Sequence, residues 1–362
     1  MSTPVVKFKS KPHSDIFSVL RKRVKAYFKD HNVTPYANGN MVAKTIFMLS
    51  LYLVPYFLMI SGLVSGVWGV LSMWTLMGLG MAGIGLSIMH DANHGSYSRN
   101  KHVNKALGLL INLLGGLRIN WQIQHNTLHH SYTNIEGYDQ DIINPLLRMS
   151  PDQKRKWFHK YQALYAPLLY GIMTLYWSTS KDYEQIFKFD KMNLLHRYGL
   201  NKWTGLLRVT LVRIFYFGAF LVLPLLMVAT PWWVTLLGFV IMHVICGLLL
   251  ALIFQTAHVI EETHFATPND NGEVRQNWAI HQLRTTANFA NESRIFSWLI
   301  GGLNYQVEHH LFPNICHVHY REISKIVKAT AKEYNVPYFQ HKTWVRALGS
   351  HFGMLKKLGR VG

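Results

Sequence analysis

Cysteine is nearly absent from this 362-residue chain, and several kinds of chemistry are absent with it. Cys246 lies inside a long apolar stretch and Cys316 far beyond it in a basic region, so no disulfide joins them. Two thiols cannot build a Cys-rich zinc site or hold an iron–sulfur cluster. Acidic residues are scarce too: 18 Asp and Glu stand against 37 Lys and Arg, a formal net charge of +19. In a soluble protein that balance would suggest nucleic acid. The distribution excludes that reading, because no cation occurs in residues 45–98 or 214–274. The first 40 residues lack an apolar h-region, so no cleavable signal peptide is expected. No internal repeat, low-complexity tract or linker divides the chain.

A credible dinucleotide fold is also lacking. Gly78–Gly83 (GLGMAG) fits G-x-G-x-x-G, but it lies inside an apolar stretch with no strand before it. Close helix packing through small residues is the expected use of these glycines. Any redox chemistry would therefore draw its electrons from another protein.

The two cation-free stretches are 54 and 61 residues long, room for two membrane passes each at about 20 residues per pass. Each is broken near its middle, at Ser61–Gly66 and at Ala229–Trp233. The pattern predicts an all-α membrane protein with four transmembrane helices in two hairpins, near 42–62, 67–89, 207–229 and 233–257. Cationic blocks stay cytoplasmic, so both termini and the central block are expected there, forming a helical cap. Residues 1–40 read as a basic amphipathic segment and 41–362 as the membrane domain. Within the segment, Ile16, Phe17, Leu20, Val24 and Phe28 against Arg21, Lys22, Arg23 and Lys25 predict a helix for an anionic membrane surface. Leu107–Leu117, Tyr161–Trp177 and Ile295–Leu303 are too short or too interrupted to cross, and read as interfacial or partly buried helices.

What the chain has in abundance is histidine, 20 residues in all. Seven fall in three clusters: His90 and His94 in HDANH, His125, His129 and His130 in HNTLHH, and His309 and His310 in QVEHH. Ionisable groups near lipid are costly, so their concentration calls for a common purpose. On an α-helix, positions i and i+4 share a face, so His90/His94 and His125/His129 can each aim two imidazoles at one point. Adjacent histidines diverge by about 100°, so His129/His130 and His309/His310 could each serve two neighbouring metal ions. All three clusters fall on the cytoplasmic side of the predicted topology. A haem electron carrier would need histidines facing across the spans, and a metal transporter would need them at the midplane. This placement argues against both. His243, deep in the fourth span with no acidic partner nearby in sequence, is expected to be a neutral packing histidine.

HDANH, HNTLHH and QVEHH, in this order about two hairpins, resemble the histidine boxes of the membrane fatty acid desaturases. The third box, with Gln306 where many relatives have histidine, is similar to that of acyl-lipid and front-end members. HSYTNIEGYDQDI, NWAIHQLRTTANF and GGLNYQVEHHLFPNICHVHY carry the resemblance from about residue 40 to the C-terminus. The HPGG haem motif of a fused cytochrome b5 domain does not occur.

The resemblance implies two non-haem iron ions held mainly by imidazoles, with dioxygen as co-substrate and a double bond introduced into a fatty acyl chain. His90, His94, His125, His129, His130, His309 and His310 would be ligands. The eighth would be His258, with His264 as runner-up. Gln306 would bind weakly or through water, and His281 would be a ninth ligand or a supporting group. Asp91, Asp139, Asp141, Glu261 and Glu262 are candidates to accept the outward ring N–H of ligand histidines. Trp121, Trp278 and Tyr305 are candidates to line an acyl tunnel. An external electron donor, ferredoxin or a free cytochrome b5, would supply two electrons per turnover. A related di-iron hydroxylase remains the alternative, since both reactions begin with the same hydrogen abstraction.

Overall fold

The computed structural model describes residues 6–9 and 15–361, and helix dominates it. Four helices among the described residues are long and apolar enough to cross a membrane: Gly39–Ile60, Val67–Asn93, Lys202–Met227 and Trp232–His258. Two of their starts follow side-chain capping chemistry. The Asn38 side chain accepts from the Met41 amide at 3.1 Å and starts the first span three residues before the expected boundary. Asn201 and Thr204 form a reciprocal cap that starts the third span at Lys202 rather than 207. The second span continues to Asn93, which makes the first histidine cluster the last turn of a spanning helix.

The GLGMAG glycines lie where the second span meets its neighbours. A Cβ on Gly78 would strike the Met242 carbonyl of the fourth span, and one on Gly80 the Tyr52 backbone of the first. Small residues here let backbones approach closely. His243 is buried and satisfied, with Nε2 2.9 Å from the Tyr216 hydroxyl and Nδ1 3.0 Å from Thr174 Oγ1. Cys246 and Cys316 are both free and buried.

Between the second and third spans, the helix Gln162–Tyr176 buries Ala166, Tyr170 and Thr174 and exposes Leu164, Leu168 and Ile172. It is half-buried, as its interrupted apolar pattern predicts. The N-terminal helix forms at Ile16–Asp30, but its apolar face has a different partner from the expected membrane. Ile16, Leu20 and Val24 are buried in one cluster with Ile323 and Val327 of the helix Tyr320–Glu333. The Arg23 guanidinium grips the Glu333 carboxylate at 2.7 and 2.8 Å. An amphipathic stripe cannot announce its partner; here a second apolar stripe in the same chain covers it. Two short parallel pairings, Lys7–Phe8 with Glu273–Val274 and Ala287–Phe289 with Phe339–His341, tie distant segments together.

Candidate metal centre

The chain brings eight histidines from four places in the sequence to one buried point. His90, His94, His125 and His309 form one set and His129, His258 and His310 a second, the candidate ligand atoms within each set lying within 4.8 Å of one another. His130 joins the first, its Nε2 3.3 Å from that of His125 and 3.0 Å from that of His309. The Nε2 atoms of His90 and His125 are 3.2 Å apart, and those of His129 and His310 are 3.3 Å apart. The adjacent pairs do divide between two centres, His309 to one and His310 to the other.

The pairing within the second cluster differs from the α-helical expectation. Gln122–His129 is wound as a π-helix, and the His130 amide donates to the His125 carbonyl, an i→i+5 bond. The wider turn sets the His130 Nε2 beside that of His125, while His129, its ring stacked on His125, turns its own Nε2 to His310 and packs on His258. A second π-helical turn, Ile84–Ile88, precedes His90 in the second span. Such turns are rare and recur at functional sites.

Four of the outward nitrogens have defined partners, while those of His90 and His130 have none. His129 Nδ1 lies 3.0 and 3.1 Å from the two Asp139 oxygens, and the same carboxylate accepts the Asn134 and Asp141 amides. His310 Nδ1 lies 2.9 Å from Gln282 Oε1, His309 Nδ1 3.2 Å from the Tyr320 hydroxyl and His258 Nδ1 3.3 Å from the Thr285 carbonyl. Asp141 stands 3.7 Å from His125 Nδ1, too far for a hydrogen bond. Asp91 is 3.8 Å from His90 Nδ1 and bonds instead to His317, whose Nδ1 is at 2.7 Å. His317 Nε2 in turn meets the Lys44 ammonium at 2.7 Å.

Several expected residues lie elsewhere. His264 is exposed and stacks on Phe339, because the chain turns outward after His258. Glu261 and Glu262 are exposed and meet Ser350 of the C-terminal helix Trp344–Arg360. His281 is buried with both ring nitrogens engaged, by the Thr133 carbonyl at 2.8 Å and by Gln276 at 2.9 Å, so it braces the second cluster from outside. Trp278 packs on Phe17 and Tyr305 reaches the Asn291 carbonyl; neither lines the cavity described below. Sequence reasoning missed Gln282, Tyr320 and Glu308. Gln282 follows His281 in a stretch already singled out. Glu308, between the boxed residues, is buried and accepts from Asn288 and Tyr338 at 2.8 and 2.9 Å, and burial raises its pKa to about 7.

The donor set fits metal ions. Buried Nε2 of His94 and of His258, and the Gln306 amide oxygen, have no hydrogen-bond partner. Imidazole Nε2 atoms 3.0–3.3 Å apart have the spacing of neighbouring ligands on one ion at bond lengths of about 2.0–2.1 Å. Burial, then the neighbouring imidazoles, hold His94, His125, His130, His309 and His310 well below the ordinary imidazole pKa, so these rings are neutral and free to ligate. His129 differs. Burial pulls its pKa down, but the charge and hydrogen bond of Asp139, with Asp141, outweigh burial and raise it.

A cavity of about 420 Å³ opens against this centre. His90, His125 and Gln306 face it, Leu86, Leu250 and Phe254 supply apolar wall, and Lys181 and Lys188 stand at its polar side. Trp121 also lines it, with its ring stacked on His125 at 4.5 Å between centroids. This is the form of a site for a long apolar chain carrying a polar end.

The family model described as fatty acid desaturase matches residues 65–342. An sn-1 linoleoyl-lipid 6-desaturase of Arthrospira platensis is 35% identical over 94% of this chain and 91% of its own length. An acyl-lipid (8-3)-desaturase of Physcomitrium patens is 36% identical over 96% of the chain and 72% of its own length. The sn-1 linoleoyl-lipid 6-desaturase of Synechocystis is 34% identical over 95% of both. With two converging histidine sets, an apolar cavity beside them and four membrane-length helices, this similarity along nearly the whole chain shows that the protein belongs to the fatty acid desaturase family.

Proposed function

We propose that this desaturase holds two iron ions, uses dioxygen, and acts on acyl chains carried by membrane lipids. His90, His94, His125, His130 and His309 would hold one ion. His129, His258 and His310 would hold the other, with Gln306 beside them, directly or through water. The observation that carries the reading is the cavity bounded by His90, His125 and Gln306, which would bring an apolar chain against the first set and Gln306. The relatives named as acyl-lipid desaturases support the lipid carrier. When bound, an iron pair supplies the oxidising power from dioxygen that an unactivated methylene demands and side chains lack.

The chain's own residues do the positioning. Asp139, Gln282, Tyr320 and the Thr285 carbonyl take the outward Nδ1–H of four histidines, which leaves each Nε2 lone pair facing inward. Trp121 fixes the His125 ring by stacking. Leu86, Leu250 and Phe254 hold the acyl chain and exclude water, while Lys181 and Lys188 keep its polar end outside. Each turnover takes two electrons from the substrate and two from an external carrier, ferredoxin or a cytochrome b5, and releases two waters. The basic blocks favour a cytoplasmic metal centre and termini.

The test is expression in a host with a simple fatty acid profile, with mass-spectrometric location of any new double bond. Iron near two per chain without a haem band should accompany it. An alcohol instead of an alkene would make the enzyme a hydroxylase, and no modified lipid at all would sink the reading.

A further inference from the structure

A second hollow, of about 320 Å³, lies away from the acyl cavity. The two share no lining residue. Three cations line it: Lys105, Arg118 and Arg208. No carboxylate does. Lys105 and Arg208 make no side-chain hydrogen bond or ion pair among the described residues, and Arg118 uses only Nε, donating to Asn93 Oδ1 at 2.7 Å. Three like charges around one hollow repel each other, and the arrangement becomes favourable when an anion enters. Apart from Asn112, the remaining wall is apolar, with Leu109, Leu117 and Leu211 among its residues.

Its position selects the anion. Arg208 belongs to the third span, six positions beyond Lys202 and roughly 9 Å along the axis. Leu207, Leu211 and Ile214 around it are 59%, 56% and 67% exposed, an outward face that lipid covers in a spanning helix. A soluble acidic protein cannot follow that face into hydrocarbon. A lipid can, with its chains on the leucines and its phosphate at the level where arginine and lysine reach for the interface.

We infer that Lys105, Arg118 and Arg208 form a site for the phosphate of an anionic phospholipid, separate from the acyl cavity. Arginine's planar fork suits a phosphate, and Arg118 leaves its terminal nitrogens free for one. Because Arg118 also holds Asn93, the residue before His94, the bound phosphate is linked through these two side chains to the first histidine set.

The experiment counts lipid rather than product, so it stands apart from the proposed reaction. The full chain is reconstituted in nanodiscs of phosphatidylcholine, with or without phosphatidylglycerol, then extracted into detergent and analysed by native mass spectrometry. The unaltered chain should retain one phosphatidylglycerol. The Lys105→Gln/Arg208→Gln variant should retain it about 10–30-fold less well, and Arg208→Lys should fall between. An unchanged thermal midpoint in phosphatidylcholine alone verifies that the double variant is folded; if it is not, the single Lys105→Gln variant carries the comparison. Equal retention by variant and parent, or no preference for phosphatidylglycerol over phosphatidylcholine, overturns the inference. So does a double variant that keeps its lipid and loses affinity for an acidic electron carrier, because the hollow would then be a protein dock.

Discussion

His129 and Asp139 meet at 3.0 Å with no exposure to solvent, ten residues apart across the turn that follows the second histidine cluster. One nitrogen of the ring belongs to the carboxylate and the other faces His310. The carboxylate also accepts two backbone amides, so it organises the turn as well as the ring. Asp139→Ala should lower iron retention or activity by about 10–100-fold, and Asp139→Asn, which can still accept from Nδ1–H, should lose less. Iron per chain measured by plasma emission checks the order; equal iron in both variants and the parent would remove Asp139 from this role.

His94→Ala, His129→Ala and His310→Ala should each abolish activity and lower bound iron, since no neighbouring side chain replaces the lost imidazole. The exposed His196 serves as the control, and His196→Ala should change neither. His13 lies outside the described residues. His351, although outside the clusters, is not a neutral control, because it is buried between the Tyr170 hydroxyl and the Val259 carbonyl. A fully active His129→Ala enzyme with its iron intact would break the assignment.

The spans were legible because charge removal over 45–98 and 214–274 is a constraint imposed by lipid on every residue at once. The clusters were legible because histidine is rare where it is expensive. The winding that carries them was not. No residue type marks the π-helical turn at Gln122–His129, and that turn decides that the His130 Nε2 rather than that of His129 meets the Nε2 of His125. Partners brought from afar were equally hidden: Gln282 reaches His310 from 28 residues away. Nothing local said that Asp91 would serve His317, 226 residues on, in preference to its neighbour His90. Glu261 and Glu262 follow His258 closely, but the chain's exit from the fourth span turns both to the surface.

Gln306 is 1% exposed, with its amide oxygen unpartnered beside the second histidine set. Gln306→His should keep iron and retain part of the activity. Gln306→Ala should reduce turnover more than iron content, because it removes a polar group facing the cavity without removing an imidazole. If both variants behaved as the parent does, the side chain would have no part in the site.

Acid should loosen the packing around His351 and His281. Burial lowers each pKa to about 4, against about 6.5 in the unfolded chain. A depressed pKa means the unfolded chain takes up the proton first. Their neutral-pH stability is therefore complete above 6.5 and is lost as pH falls toward 4, by about 3 kcal/mol for each at most. His351→Gln, which can still donate to Val259 and accept from Tyr170, should show a smaller drop in thermal midpoint between pH 7 and 4. A steeper drop than the parent's would place the acid lability elsewhere.

Salt should separate carrier docking from the chemistry. The proposed reaction draws two electrons per turnover from an external carrier. Lys154, Arg155 and Lys156 are exposed together in the segment after the second cluster, and an acidic carrier would be steered toward such a patch. Screening over a Debye length of about 10 Å at 0.1 M weakens that attraction. Turnover at limiting carrier should fall as ionic strength rises, while chemical reduction of the metal centre changes little. Charge reversal at the three residues should raise the KM for carrier and leave kcat near the parent's. Unchanged carrier kinetics in that variant would move the dock elsewhere on the basic surface, and turnover by the purified chain with a nicotinamide cofactor alone would end the external-carrier reading.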